Sequence, residues 1–344
     1  MKKPLLQTEN RVRRTYRGGR LLEGFLGKEQ PADSFLPESW ISSFVEAKNR
    51  DPIPGEGISR VWVDGKELPL PQAVLPEDFG PGRQDCGVLV KDLNSAERLG
   101  IQVHPTPAFS RRYFGTDYGK TECWHILQTD SEADPCVYIG FRKGITKERW
   151  RALFEAQDVE EMLSCLHRFE VQAGDTVLVR AGTPHAIGAG CFLLEIQEPT
   201  DYTMRVERVT LAGELLTPQQ IHYGVGEEAM LDCFVYEGLS REEAARHFFL
   251  RPHTEMAAKG TLQTLVSYED TPCFALQRIT EGDVVVHPQS FVTLVALSDG
   301  ALTVGAEALQ VKQGDTYFLP YGCGEIAVRN AQVLLCYPPS LERN

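Results

Sequence analysis

The feature that most restricts what this chain can fold into is a repeated unit. "FEVQAGDTVLVRAGTPHAIGAG", starting at Phe169, and "LQVKQGDTYFLPYGCGEIAVRN", starting at Leu309, share V-x-x-G-D-T at the same offset, each followed by apolar residues and a second glycine turn. A glycine-aspartate turn before an apolar run is hairpin chemistry, because glycine takes the left-handed backbone and the aspartate side chain bonds the turn's own amides. Two copies imply two related β-units, one on each side of the later helices. By this offset His185 of the first copy aligns with Glu325 of the second, whose only nearby histidine is His287, upstream. A metal, if bound, belongs to the first unit alone.

The rest of the chain agrees with a mainly β organisation. Proline and glycine punctuate short runs: residues 87–93 (GVLVKDL), 99–105 (LGIQVHP), 123–127 and 136–141 all read as strands. Helical periodicity is confined to three places. Residues 145–166 form one helical segment with Trp150, Leu153, Phe154, Val159, Met162 and Leu163 on its apolar face. A weaker helical region spans 218–230, interrupted by Gly224 and Gly226, and a third spans 240–248, where Ser240 and Glu243 have capping-box spacing. A length of 344 residues with 42% hydrophobic composition supports a substantial core, divided here into a first domain over 1–248 and a second over 249–344.

Charge and cysteine usage then exclude classes of function. A net charge of −13 lacks the cationic area needed to neutralise nucleic-acid phosphates or an anionic membrane, so neither is an expected partner. The nine cysteines are odd in number, scattered and without a C-x-x-C pair, as expected of reduced thiols in a cytoplasmic protein. The N-terminus lacks the apolar stretch of a signal peptide, and no run approaches membrane-span length.

Chemistry is to be sought around His185. Gln102 and His104 stand two apart, so on a strand both side chains share a face. Glu122, in "GKTECWHIL", opens the next strand and can face inward with Trp124 and Ile126. His104, Glu122 and His185 make a two-histidine, one-carboxylate set to which Gln102 adds a neutral oxygen, a mixture suited to Zn²⁺, Fe²⁺ or Mn²⁺. His125 points away from that face. His167, His222, His247, His253 and His287 have no partners at ligand spacing and read as surface or satisfied groups. The glycines of "AGTPHAIGAG" read as hairpin geometry holding His185 at a barrel mouth, not as a phosphate cradle.

"IQVHP", "GKTECW" and "AGTPHAIGAGCFLLEIQEPTDYTMRV" together resemble type I phosphomannose isomerase, a cupin family, most closely its shorter bacterial form. "YRGGRLLEGFLG", "PESWISS" and "VLVKDLNSAERLGIQVHP" are weaker upstream matches, so the similarity runs in order through about Arg208 and loosely beyond. The resemblance implies two cupin (jelly-roll) β-barrel units with a few intervening helices, the first catalytic and the second degenerate. It further implies one zinc ion on Gln102, His104, Glu122 and His185, with Lys120, Asp201 and Arg205 in the active site. The implied reaction interconverts mannose 6-phosphate and fructose 6-phosphate through a cis-enediol, in a monomer or weak homodimer. Arg111, Arg112, Lys120 and Arg208 are the candidate phosphate contacts. Departures from the family pattern, Arg17 before the glycine pair, Pro37 before Glu38, Thr200 before Asp201 and Val206-Glu207 after Arg205, leave the metal set intact but bear on the sugar. An isomerase of another sugar, an Fe²⁺ cupin oxygenase and a non-catalytic sugar-binding or regulatory cupin are the alternatives.

Overall fold

A computed structural model describes residues 2–257 and 259–342. The first β-unit is built from two antiparallel sheets. One has seven strands in the order Phe249–Leu250, Thr176–Val179, Glu122–Thr129, Cys191–Gln197, Leu89–Ser95, Glu38–Ile41 and Arg11–Val12. The other has five, Leu166–Glu170, Cys136–Phe141, His185–Ile187, Gln102–Val103 and Met204–Arg205. Between them lies a core that includes Leu93, Trp124, Ile126, Val137, Ile139, Val177, Ile187 and Leu193.

The second unit is one curled ten-stranded sheet. Its longest strand, Ala275–Val286, pairs with Val333–Tyr337 through residues 275–279 and with Ile326–Val328 through 284–286, so one bent strand serves both walls of the barrel. The two units also exchange edges. Leu5–Leu6, at the start of the chain, pairs with Thr316–Leu319, whereas Phe249–Leu250 pairs with Thr176–Val179.

The outer face of the seven-stranded sheet packs on the second unit. Ile41, Val90, Cys123, Leu178, Leu194 and Ile196 meet Leu265, Phe274, Leu276, Phe291, Phe318 and Leu334 in one cluster. Strands such as Leu89–Ser95 and Cys191–Gln197 are therefore buried along their whole length, and their sequences show no regular apolar–polar alternation. The helices cover the outside of the five-stranded sheet, burying Trp150, Phe154, Met162, Ile221 and Met230 against Phe141, Val103 and Met204.

The repeat is a structural one. Gly174 and Gly314 have φ of +97° and +87°. Asp175 Oδ2 accepts from the Gln172 amide at 2.9 Å and Asp315 Oδ2 from the Lys312 amide at 2.8 Å. Each glycine amide donates to the neighbouring strand, Gly174 to Ile126 and Gly314 to Ala296. Beyond this turn the copies slip by one residue. His185 and Ile187 point into the first barrel beside Gln102 and Val137, while Ile326 and Val328 point into the second beside Val286 and Leu302. Ile326, not Glu325, thus takes the place of His185. Glu325 sits in the adjacent outward-facing position, 4.0 Å from His287.

Two expectations about local structure need correction. Residues 145–166 form two helices, Lys147–Ala156 and Val159–Ser164, because Gln157 turns left-handed (φ +52°) and Asp158 caps the second through the Glu161 amide. Gln157 instead braces the loop after Arg205, donating to the Val206 carbonyl and accepting from the Arg208 amide. Within 99–105 only Gln102–Val103 is strand, since the Ile101 amide donates to the Glu207 carboxylate at 2.7 Å and His104 is followed by proline. The region 218–230 resolves into Pro218–His222 and Glu227–Asp232, and Ser240 caps Arg241–Phe248 with the expected box.

Candidate metal centre and active-site cleft

Alternation on paired strands brings the ligand set together. Val179, Glu122 and Gln197 lie in register across three strands of the large sheet, as do Val177, Trp124, Glu195, Lys91 and Trp40 one step along, all facing the barrel interior. From the opposite sheet His185 pairs with Gln102, and His104 follows two residues later. "AGTPHAIGAG" aims its histidine by turn geometry. The Gly182 amide donates to the His104 carbonyl at 2.8 Å, tying the two ligand segments together. Gly182 has φ +86°, and a Cβ there would lie 2.6 Å from Val235.

His104, Glu122 and His185 are all buried, with one ligand atom of each within 4.8 Å of the others. His104 Nδ1 donates to the Tyr202 carbonyl at 3.0 Å and His185 Nδ1 to the Thr183 carbonyl at 2.8 Å, which fixes both tautomers with the Nε2 lone pair facing inward. Burial holds both imidazoles neutral. It lowers the pKa of His185, and, with the nearby Lys120 charge, pushes that of His104 down to about 3. Glu122 Oε2 lies 3.0 Å from His104 Nε2 and 3.1 Å from Lys120 Nζ yet accepts no well-formed hydrogen bond, while Oε1 accepts from Trp124 Nε1 at 3.0 Å. Despite the cost of burial, the Lys120 charge holds this carboxyl well below the usual carboxylate range. Gln102 reaches His185 Nε2 at 3.2 Å through its amide, and a flip of that amide presents Oε1 at the same place. Two inward lone pairs, an orphaned carboxylate oxygen and a neutral amide are the donor set of a divalent cation with oxygen and nitrogen preference.

The cluster opens through Gln102 and Lys120 into a cleft lined by Arg14, Glu38, Lys91, Glu195, Asp201 and Arg205. Lys120 Nζ is 2.9 Å from His104 Nε2. Arg205 donates to the carbonyls of Gln220, at 2.7 Å, and Thr203, and has no carboxylate within 4.0 Å among the described residues. Asp201 is engaged elsewhere: Arg14 grips both its oxygens at 3.2 and 3.0 Å and the Lys48 amide donates at 2.8 Å. In spite of burial, the charge of Arg14, with that of Lys91, holds its carboxyl far below its ordinary value. Arg14 also pairs with Glu38 at 2.9 Å, and Lys91 pairs with Glu195 at 3.0 Å. Burial, reinforced by the Glu122 charge, pushes the Glu195 carboxyl up.

The sequence reading missed Arg14, Glu38, Lys91 and Glu195. Glu195 carried a signal, being a single charge inside an apolar run (CFLLEIQ), whereas Lys91 is followed at once by Asp92. Three of the candidate phosphate contacts lie away from the cleft: Arg111 pairs with Asp117, Arg112 stacks on Tyr113, and Arg208 packs on Phe154 beside Glu227. His125 does point outward, bonded to Thr176 Oγ1 at 3.0 Å and buried between the units. All nine cysteines are free and buried. Among the described residues no helix is long and apolar enough to cross a membrane.

No protein-family model matches the chain. It is 25% identical over 325 residues to the mannose-6-phosphate isomerase of Streptococcus mutans, covering 93% of each. The crystal structure of the mannose 6-phosphate isomerase of Bacillus subtilis superposes with a TM-score of 0.76 at 21% identity, covering 98% of this chain and all of that one. A zinc-bound mannose 6-phosphate isomerase superposes with a TM-score of 0.71 at 15% identity over 98% of this chain. Ligand motifs, barrel topology and near full-length relatives agree: the chain is similar along its length to mannose-6-phosphate isomerases and shares their fold.

Proposed function

We propose that the chain interconverts mannose 6-phosphate and fructose 6-phosphate, with zinc held by His104, Glu122, His185 and Gln102. The observation that carries this reading is the buried His104–Glu122–His185 cluster at the floor of a cleft whose walls hold both signs of charge. Moving a proton between C1 and C2 of an open-chain hexose requires polarised oxygens at both carbons and a carrier on one face of the enediol. A bound zinc ion contributes Lewis acidity at those oxygens. The chain's own groups do the rest. Lys120 Nζ, beside Glu122 and His104, neutralises the charge that builds on the hydroxyl oxygens. Arg205, without a carboxylate partner, and Lys48, whose Nζ lies 4.6 Å from the Tyr202 ring and which lines a neighbouring pocket that shares Arg14 and Arg205 with the cleft, take the phosphate. Of the two acids in the cleft, Glu195 has its affinity for a proton raised and Asp201 has it depressed. Glu195 is therefore the proton carrier, and Asp201 is the counter-ion that positions Arg14.

The test is a coupled assay of the zinc-loaded chain on mannose 6-phosphate. Turnover that is lost on chelation and restored by zinc is expected. An intact, zinc-loaded protein that turns over other sugars, or none, sinks the assignment.

A further inference from the structure

The second barrel has lost the metal set but kept an opening in the equivalent place. Pairing across the strands matches Trp40, Lys91 and Gln197 of the first barrel to Thr264, Gln277 and Tyr337 of the second, and Gln102 to Val286. Those four residues of the second barrel line a single groove of about 650 Å³, with Arg83 and Tyr268 at its rim. This volume suits a monosaccharide or disaccharide.

The groove's chemistry differs from that of the first cleft. Its floor carries neutral hydrogen-bonding groups in a chain: Tyr337 Oη donates to Gln277 Oε1 at 2.8 Å, and Gln277 Nε2 donates to Thr264 Oγ1 at 3.4 Å. Tyr268 anchors its hydroxyl on the Pro338 carbonyl, is 42% exposed and lines the groove. Arg83 is half-buried, and among the described residues no carboxylate lies within 4.0 Å of its guanidinium. Asp85 is bonded to the Tyr118 hydroxyl at 2.7 Å. A guanidinium taken partly out of water with no carboxylate in contact favours an anion that supplies the counter-charge, although Asp85 bears on Arg83 from nearby and Glu342 also lines the groove.

We propose that this groove is a second, metal-free binding site for a hexose bearing one anionic group, a phosphate or a carboxylate. Arg83 receives the anion, the Tyr268 ring receives the C–H face of the pyranose, and the Thr264, Gln277 and Tyr337 chain exchanges hydrogen bonds with its hydroxyls. The site is independent of the reaction proposed for the first cleft.

The test is binding stoichiometry by calorimetry on the full chain, with mannose 6-phosphate, mannuronate and mannose as separate probes. At least one anionic hexose should bind the wild type with one more site per chain than it binds Arg83→Gln or Tyr268→Ala. Mannose should show no Arg83-dependent site, and turnover at the first cleft should be unchanged in both variants, which also reports that they are folded. If neither anionic hexose loses a site in either variant, or if a mannose site disappears with Arg83→Gln, the proposal is overturned. Because the readout is a difference between wild type and variant, it holds even if the first cleft binds no mannose 6-phosphate.

Discussion

The two barrels hold the same turn, the same strand order and the same inward positions, yet one gathers a cation-binding donor set and the other fills the matched ligand positions with apolar side chains. Where the first places Gln102, Glu122 and His185, the second places Val286, Val292 and Ile326, of which the last two are fully buried in its own core. Lys91 and Glu195 are likewise replaced by Gln277 and Leu335. A jelly roll closes by burying the inward side of every strand, and apolar residues are the inexpensive way to do so. The first barrel instead buries two imidazoles, a carboxylate and an ion pair, so each needs a partner, and the structure supplies them from carbonyls, an indole and neighbouring charges. Fold and site can thus be separated: the barrel does not need the polar set, but the site needs the barrel.

The comparison is broken most severely by truncating matched positions. His185→Ala removes a ligand and with it several kcal/mol of transition-state stabilisation, so turnover should fall roughly 10³-fold or more, together with bound zinc. Ile326→Ala, at the equivalent place, should leave zinc content and turnover untouched while lowering unfolding free energy by about 2–5 kcal/mol. Metal analysis and denaturant titration of the two proteins read these outcomes side by side. Zinc loss from Ile326→Ala would mean that the barrels are not independent.

A smaller effect separates the two acids of the first cleft. Glu195→Gln keeps the shape but removes the proton carrier, and kcat should drop roughly 10²-fold or more with zinc retained. Asp201→Asn should act mainly through KM, because Arg14 is left with Glu38 alone. Steady-state kinetics with zinc analysis distinguishes them, and equal losses in kcat would remove the distinction between carrier and counter-ion.

These contrasts also show what the sequence could disclose. The cluster of His104, Glu122 and His185 with Gln102 beside it was legible because each member sits in a short motif whose spacing fixes its face: Gln102 and His104 two apart, Glu122 at a strand start, and His185 after a proline and ahead of two more glycines. Lys120 and Arg205 entered through the same motifs. The Gly-Asp turn gave away the duplication for a similar reason, since its conformation is enforced by the residues themselves. Arg14 and Glu38 were not legible as cleft residues, because their roles depend on which strand becomes the neighbour of which. Asp201 was named from its motif but its partner was not, as Arg14 lies 187 residues away in the chain. The break at Gln157 was hidden because its cause, the loop around Val206 and Arg208, is tertiary.

The least effect is expected at the seam between the barrels, where the outer faces carry charges that match in register, a buried Asp92 and a half-buried Arg278. Asp92, in the large sheet, corresponds to Arg278 in the second barrel by the same pairing that matches Lys91 to Gln277. Asp92 is buried with Oδ1 unpartnered, and burial alone pushes its pKa up from 3.8 to about 7. The folded chain therefore holds this proton more tightly than the unfolded one. Its contribution is fully present below about pH 4, declines as pH rises toward 7 and stays low above that. The difference of about 3 units corresponds to at most about 4 kcal/mol, and relaxation around the site brings the expected effect to roughly 1–3 kcal/mol. Asp92→Asn removes the titration while keeping the shape. Its stability relative to wild type should rise between pH 4 and pH 7 and level off beyond, as measured by urea denaturation at each pH. A constant difference across that range would place the charge of Asp92 in contact with water, and would mean that the seam is wetter than the matched apolar faces around it require.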